Sequence, residues 1–166
     1  MHVRLARGDD ATAVETIRVQ AWRVAYRHIL PPDELDAFPM DPSRWRSRFE
    51  SPPEGWATFV AEQDAAVIGF AAVGPSRDER GLGELYAIYV DPGTWSRGAG
   101  RALIAKAVQQ LALAYKTATL WVLTANDRAR RFYELAGWQP YGLVKAEQIF
   151  GVDAEEVRYS KQLKGV

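Results

Sequence analysis

The chain has 166 residues, with 21 basic and 21 acidic side chains, no cysteine and two histidines. The balanced charge gives no overall footprint for nucleic acid, the lack of cysteine excludes disulfides, thiolate metal sites and a cysteine nucleophile, and two histidines cannot build a metal cluster by themselves. Because the sequence holds no long apolar stretch and no signal peptide, we expect one cytoplasmic domain over residues 1–166, without nucleic-acid, membrane or metal partners.

The chain begins with a predicted strand and a predicted helix. Residues 2–6 alternate weakly, which is typical of a short strand. Asp9 or Asp10 can cap the helix that follows, which should end before Pro31. Its apolar face is formed by four residues at helical spacing, Val14, Ile17, Ala21 and Val24.

A proline-rich segment and a strand pair come next. The pattern predicts short helices around residues 33–38 and 42–49. Residues 57–61 and 66–73 read as strands joined by a tight turn at residues 63–64. These two strands should therefore form a hairpin.

The second half alternates strands and helices. Residues 85–90 and 118–123 predict buried strands, and the helix between them has an apolar face of Leu103, Ile104, Ala107, Val108 and Leu111. Asn126 or Asp127 can cap another helix that ends at Gly137, and the tail fits two or three strands. This order predicts an α/β fold with a mixed sheet of about seven strands flanked by helices on both faces.

The most informative stretch joins the strand at residues 85–90 to the helix that follows it. The connecting loop reads Arg97-Gly98-Ala99-Gly100-Arg101. Free N–H groups and the helix dipole make such a junction an anion site, glycine lets a phosphate approach the backbone, and arginine pairs with phosphate oxygens. A Walker loop and the three-glycine dinucleotide motif are excluded by spacing. A tight turn without a ligand remains an alternative.

A second stretch has the pattern Asn126-x-x-Ala129-x-x-Phe132-Tyr133, followed by Gly137. In this order and spacing, the two stretches resemble the GNAT superfamily of acetyl-CoA-dependent N-acetyltransferases over essentially the whole chain. The resemblance implies the GNAT fold, with acetyl-CoA as acetyl donor and a primary amine of a small molecule or peptide as acceptor. A longer acyl-CoA, or a non-catalytic acyl-CoA-binding module, remains an alternative. Homodimers are common in this family, and exposed aromatic residues would permit one here.

The resemblance also implies the residues that contact the cofactor. Main-chain groups of Ile88 and Val90 would bind pantetheine, and the pyrophosphate would lie over the loop. The other predicted cofactor contacts are Arg97, Gly98, Ala99, Gly100, Arg101, Ala102, Asn126, Ala129 and Phe132. Trp95 stands where the family has arginine or glutamine, so Arg97 and Arg101 would compensate for the missing polar contact.

Two residues are predicted to be catalytic. By resemblance, the Tyr133 hydroxyl stabilises the leaving thiolate, the alternative being a core tyrosine. Full proton transfer from tyrosine to a free thiolate is uphill by roughly 2 kcal/mol, which favours a hydrogen bond. Glu84 is predicted to act as the base that deprotonates the amine; binding of a cationic acceptor and a plain surface position are its alternatives. Trp22 and Tyr26 would line the acceptor pocket or pack at its edge.

Overall fold

A computed structural model gives the structure of residues 1–149 and 151–164. Within these residues the strands are β1 (His2–Leu5), β2 (Ala57–Gln63), β3 (Ala66–Pro75), β4 (Gly83–Val90), β5 (Thr117–Leu123), β6 (Gln139–Ile149) and β7 (Val152–Gln162). The α-helices are α1 (Ala11–Tyr26), α2 (Pro32–Asp36), α3 (Pro42–Glu50), α4 (Ala99–Ala112) and α5 (Asp127–Leu135). None of the helices in this described part is long and apolar enough to cross a membrane.

The strands form one mixed sheet in the order β1-β2-β3-β4-β5-β7-β6. Its neighbours are antiparallel except for the central pair, β4 and β5, which run parallel. This central pair is joined only where Gly83 faces Ala118 and Glu84 faces Thr119. The antiparallel pairing of β3 with β4, by contrast, continues as far as Val90. The two central strands therefore diverge from Leu85 onward, and β4 is held through its other edge.

Helices cover the sheet on both faces, and each face has its own apolar core. On one face α4 buries Leu103, Ala107 and Leu111 at intervals of one turn, packed with residues of the central strands. On the other face α1 buries Val14 and Ile17 against Trp45 of α3 and residues of β2 and β3. The predicted mixed sheet with helices on both faces is confirmed.

Two local expectations are wrong. The hairpin turn between β2 and β3 lies at Asp64 and Ala65, one residue later than predicted, with φ values of 52° and 62°. Neither predicted aspartate caps α1 through a side-chain hydrogen bond. The Asp10 carboxylate instead accepts from the Arg7 amide at 2.7 Å and from the Arg4 guanidinium at 2.8 Å. The Asp10 carboxylate is thus engaged by Arg4 and Arg7, which precede it in the chain, and does not cap α1.

Glu15 ties α1 to α3 from a fully buried position. Its carboxylate accepts hydrogen bonds from Arg18 at 2.7 Å, from the Trp45 indole at 2.6 Å and from the Asp41 amide at 2.9 Å. Burial alone would raise the pKa of Glu15, but these donors favour the charged form more strongly and lower the pKa to about 2. Burial disfavours the ionised carboxylate, but its three donors keep it charged. Glu15 thus holds α1 and α3 together.

We expect Glu15→Gln to lower the free energy of unfolding by about 3 kcal/mol at pH 7, the scale set by the lowered pKa. Because the folded-state pKa is depressed, the stabilisation is complete above the unfolded pKa and is lost as pH falls from about 4.5 towards 2. The difference from the parent should therefore shrink over that interval. Urea unfolding followed by circular dichroism at several pH values measures it. The exposed Glu34→Gln variant is the control, and a pH-independent deficit would contradict the assignment.

Candidate active site

A cavity of about 1100 Å³ opens where β4 and β5 diverge. Residues 85–90 of β4 and 121–123 of β5 form two of its walls. The start of α4 contributes residues 98–101, α5 contributes residues 126–129 with Phe132 and Tyr133, and the end of α1 contributes residues 24–28. Glu156 of β7 completes the lining on the α1 side. Both stretches singled out by their sequence patterns thus meet in one cavity.

The start of α4 offers backbone donors without a side-chain cap. Gly98 precedes the helix with φ of 89°, in the left-handed region that favours glycine, and has no side chain to accept a hydrogen bond. The first helical bond runs from the Ala102 amide to the Gly98 carbonyl at 3.0 Å, so the preceding amides have no helical partner. In contrast, Asn126 caps α5 by accepting from the Ala129 amide at 3.1 Å. The positive end of α4 is therefore left for an anion.

Close packing explains the second glycine of this loop. A Cβ atom on Gly100 would lie 3.2 Å from the Phe132 ring and 3.8 Å from Val90. Gly100 therefore lets the start of α4 approach α5 and the end of β4 closely. Arg97 and Arg101 are both exposed, and Arg101 lies on the cavity wall, whereas Arg97 and Ala102 lie outside the lining.

Trp95 lies across the end of β4. Its indole donates to the Val90 carbonyl at 3.0 Å, and the Arg128 guanidinium lies 3.2 Å from the centre of its ring. Burial lowers the pKa of Arg128 from its usual value. Trp95 thus links β4, the α4 loop and α5 at the position where a polar residue was expected. Arg128 was missed by the sequence analysis, although a basic residue two positions after the Asn126 cap was a visible signal.

Tyr133 is 8% exposed and lies on the cavity wall with Phe132 and Ala129. Its ring packs against Trp138 and Tyr159, and no hydrogen bond engages its hydroxyl within the described residues. The pKa of Tyr133 is raised by burial and, to a smaller degree, by Tyr89. The hydroxyl therefore stays protonated at neutral pH and is available as a donor.

Glu84 has a different setting from either a cavity wall or the protein surface. It is fully buried, which contradicts the surface alternative. Its carboxylate accepts from the Arg77 guanidinium at 2.6 Å and from the Arg77 amide at 2.9 Å. The structure does not place it among the residues that line the cavity. A base role for Glu84 stays a prediction. Arg77 already donates hydrogen bonds to both oxygens of this carboxylate.

The two aromatic residues predicted for the acceptor pocket are stacked, with ring centroids 4.7 Å apart. Tyr26 is buried and lies on the cavity wall. Trp22 lies behind it, and its indole donates to the Tyr89 hydroxyl at 2.9 Å. Trp22 therefore supports two tyrosines of the cavity without being part of its lining.

Glu156 is the carboxylate on the α1 side of the cavity that the sequence analysis missed. Its side chain is 15% exposed and pairs with the Lys145 ammonium at 3.3 Å. The pKa of Glu156 is raised by burial and by Glu147, against the lowering effect of Lys145. The sequence signal was an acid at an inward position of the last strand, two residues after the buried Ala154.

Sequence comparison places these features in a known family. A model described as the acetyltransferase (GNAT) family matches residues 15–138. The chain is 35% identical over 130 residues to an uncharacterized N-acetyltransferase, YuaI, of Bacillus subtilis, with 75% of this chain and 72% of the relative covered. It is 36% identical over 103 residues to a mycothiol acetyltransferase of Acidimicrobium ferrooxidans, which covers 60% of this chain but only 29% of that relative.

Solved structures share the fold at lower identity. The ribosomal-protein-alanine N-acetyltransferase from Brucella melitensis matches with a TM-score of 0.80 and 22% identity, over 98% of this chain and 100% of that one. The acetyltransferase yncA from Salmonella typhimurium, in complex with acetyl-CoA, matches with a TM-score of 0.78 and 19% identity, over 100% and 95%. At such identities the likeness concerns the fold alone.

Proposed function

The chain belongs to the GNAT acetyltransferase family, and we propose that it transfers the acetyl group of acetyl-CoA to a primary amine of a small molecule or peptide. The observation that carries the proposal is the cavity at the β4–β5 divergence, which joins an uncapped helix start to a buried tyrosine hydroxyl. An anion subsite and a proton donor in one cavity are what a phosphate-bearing thioester requires.

The residues present fit the acetyl donor. Backbone amides of Gly98 to Arg101, with the Arg97 and Arg101 side chains nearby, would hold the pyrophosphate, whereas the predicted Ala102 amide is engaged by the Gly98 carbonyl. Main-chain groups of Ile88 and Val90 would hold the pantetheine arm at the unpaired edge of β4. Asn126, Ala129 and Phe132 would flank it from α5. Two structural neighbours are complexes with coenzyme A or acetyl-CoA, which supports the fit.

The missing cysteine favours direct attack of the amine on the thioester in a ternary complex. The chain has no cysteine to form a thioester intermediate. When bound, acetyl-CoA supplies an acyl carbon with a thiolate leaving group. Tyr133 would donate a hydrogen bond to the sulfur as negative charge develops there. Since burial raises the pKa of Tyr133 further above that of a thiol, this hydrogen bond, rather than early proton transfer, is its main contribution.

A panel of acceptors tests the function. Phenethylamine, spermidine and a peptide with an N-terminal alanine would each be incubated with acetyl-CoA, and free coenzyme A would be measured with a thiol reagent. We expect release that depends on the acceptor. The alanine peptide is included because a structural neighbour is a ribosomal-protein-alanine N-acetyltransferase. Tight acetyl-CoA binding without release from any amine would favour the acyl-CoA-binding module, and absence of binding would refute the proposal.

Gly100→Asp should weaken acetyl-CoA binding by about 10²-fold or more, because it adds a negative charge at the helix start where the pyrophosphate would lie. The new side chain also presses on Phe132, so circular dichroism and thermal unfolding must show a folded variant. Isothermal titration calorimetry measures the affinity. Ala105→Asp, on an exposed position of the same helix, is the matched control. Unchanged affinity in folded Gly100→Asp would refute the pyrophosphate site.

Tyr133→Phe should keep the ring packing and remove the hydroxyl alone. We expect an almost unchanged affinity for acetyl-CoA and a fall in kcat of about 10²-fold, since the hydrogen bond forms only as charge develops on sulfur. Tyr115→Phe, which removes a hydroxyl away from the cavity lining, is the control. Equal turnover in Tyr133→Phe and parent would return Tyr133 to a packing role.

A further inference from the structure

We infer that Glu156 is the carboxylate that binds the ammonium group of the acceptor and accepts its proton, and that the acceptor is a monoamine with an apolar or aromatic body. This inference rests on the proposed acetyl transfer. It replaces Glu84 in the role of base, and it follows from where the two carboxylates lie relative to the cavity.

Access distinguishes the acids. Glu156 lies on the cavity wall, opposite Leu123 of β5 and Lys145 of β6. Glu84 lies outside that wall, and Arg77 occupies both of its oxygens. The other acid of the described lining, Asp127, is exposed and directly precedes Arg128, which covers Trp95 of the α4 loop. Glu156 is therefore the half-enclosed carboxylate that a bound amine could reach.

The charges around Glu156 favour a cation. On β6 the Lys145 ammonium lies 3.3 Å from Glu156 and 3.9 Å from Glu147, so one positive charge serves two carboxylates. From α1 and β4 the facing titratable groups are the neutral hydroxyls of Tyr26 and Tyr89. Lys145 therefore neutralises only one of the two carboxylates, and an ammonium would balance the other, while Arg27 and His28 line the cavity just after α1. Burial, which disfavours the charged carboxylate, is relieved when that ammonium arrives.

Tyr89 lines the cavity together with Glu156 and Tyr133. The pKa of Tyr89 is raised by burial and by Glu156, against the opposing effects of Trp22 and Arg18. The pKa of Tyr133 is raised by burial and by Tyr89. Tyr26, 6% exposed and on the same wall, has no hydrogen-bond partner for its hydroxyl within the described chain, so this hydroxyl can bond a ligand in the cavity.

The proposed step balances in atoms and charge. The acceptor binds as an ammonium and gives one proton to the Glu156 carboxylate, leaving a neutral amine. The amine nitrogen forms a bond to the acetyl carbon as the carbon–sulfur bond breaks. Tyr133 donates its proton to the departing sulfur. The second proton of the nitrogen then replaces the one that Tyr133 has lost. The products are the amide and the free thiol, and Glu156 then releases its proton to solvent.

The walls beside Glu156 indicate the body of the acceptor. Tyr26, Tyr89, Trp121 and Leu123 contribute aromatic and aliphatic surface, and Glu156 is the carboxylate among them. A polyamine would bring several positive charges to Glu156 and Glu147, which already share Lys145, and would leave some of those charges without partners. A monoamine with an apolar body matches both the charge and the surface. Phenethylamine is therefore the probe, and spermidine is the comparison.

The test compares Glu156→Gln with the parent, using acetyl-CoA and phenethylamine over pH 6 to 9. Without the base, only the small fraction of phenethylamine that is neutral in solution can react. We expect kcat/KM at pH 7 to fall by about 10²-fold or more and then to rise about tenfold per pH unit, whereas the parent should be nearly flat above the Glu156 pKa. Calorimetry on the complex with coenzyme A should also show weaker phenethylamine binding.

Two further variants make the result specific. Glu155→Gln changes the neighbouring, exposed acid of β7 and should leave the profile unchanged. Glu84→Gln should leave the shape of the profile unchanged as well. A flat profile in Glu156→Gln, a profile altered only by Glu84→Gln, or a preference of the parent for spermidine would each overturn the inference. If the parent binds acetyl-CoA but not phenethylamine, the inference fails and the proposed function stands; loss of acetyl-CoA binding in the parent refutes the function itself.

Discussion

The separation of β4 from β5 is the constraint on which the site depends. Two residue pairs join these parallel strands. Beyond Glu84 the backbone groups on their facing edges no longer pair with each other. Buried backbone groups seldom stay unpaired, so the opened edge needs other partners. The Val90 carbonyl has found one in the Trp95 indole. β4 keeps its position because β3 pairs with it along the opposite edge as far as Val90, with a register shift at Ala72 and Val73. A bound ligand could supply hydrogen-bond partners for the remaining backbone groups on this edge of β4.

Basic and acidic groups line different parts of this opening, although the net charge of the chain is zero. On one side lie the uncapped start of α4, Arg101 and Arg128, where an anion is favoured. On the other side lies Glu156, with Glu147 close by and one lysine shared between them. The lining thus has Arg101, Asp127 and Arg128 beside α4 and α5, and Glu156 with Arg27 and His28 on the α1 side, a distribution that the balanced composition does not reveal. A donor with phosphates and a cationic acceptor would enter such a cavity at different ends.

The elements and the loop at the start of α4 were predictable because their determinants are local in the chain. The glycines of the α4 loop and the Asn126 cap act within a few residues of where they stand. The settings of Glu84 and Glu156 were less predictable because their determinants are distant in the sequence. The burial of Glu84 depends on Arg77, which pairs with it from a polar loop that the sequence alone does not place. The position of Glu156 on the cavity wall depends on the register between β5 and β7, which sets it opposite Leu123.

Burial raises the pKa of both proposed proton-handling groups, but the consequences for proton transfer differ. It raises the pKa of Tyr133, which makes the hydroxyl a weaker acid but keeps it protonated while charge develops on sulfur. It raises the pKa of Glu156 too, which makes that carboxylate a stronger base for the ammonium. Proton removal from the amine would thus be the assisted step, and the thiolate would be stabilised before it is protonated. One enclosed cavity, opened by the strand divergence, supplies both effects.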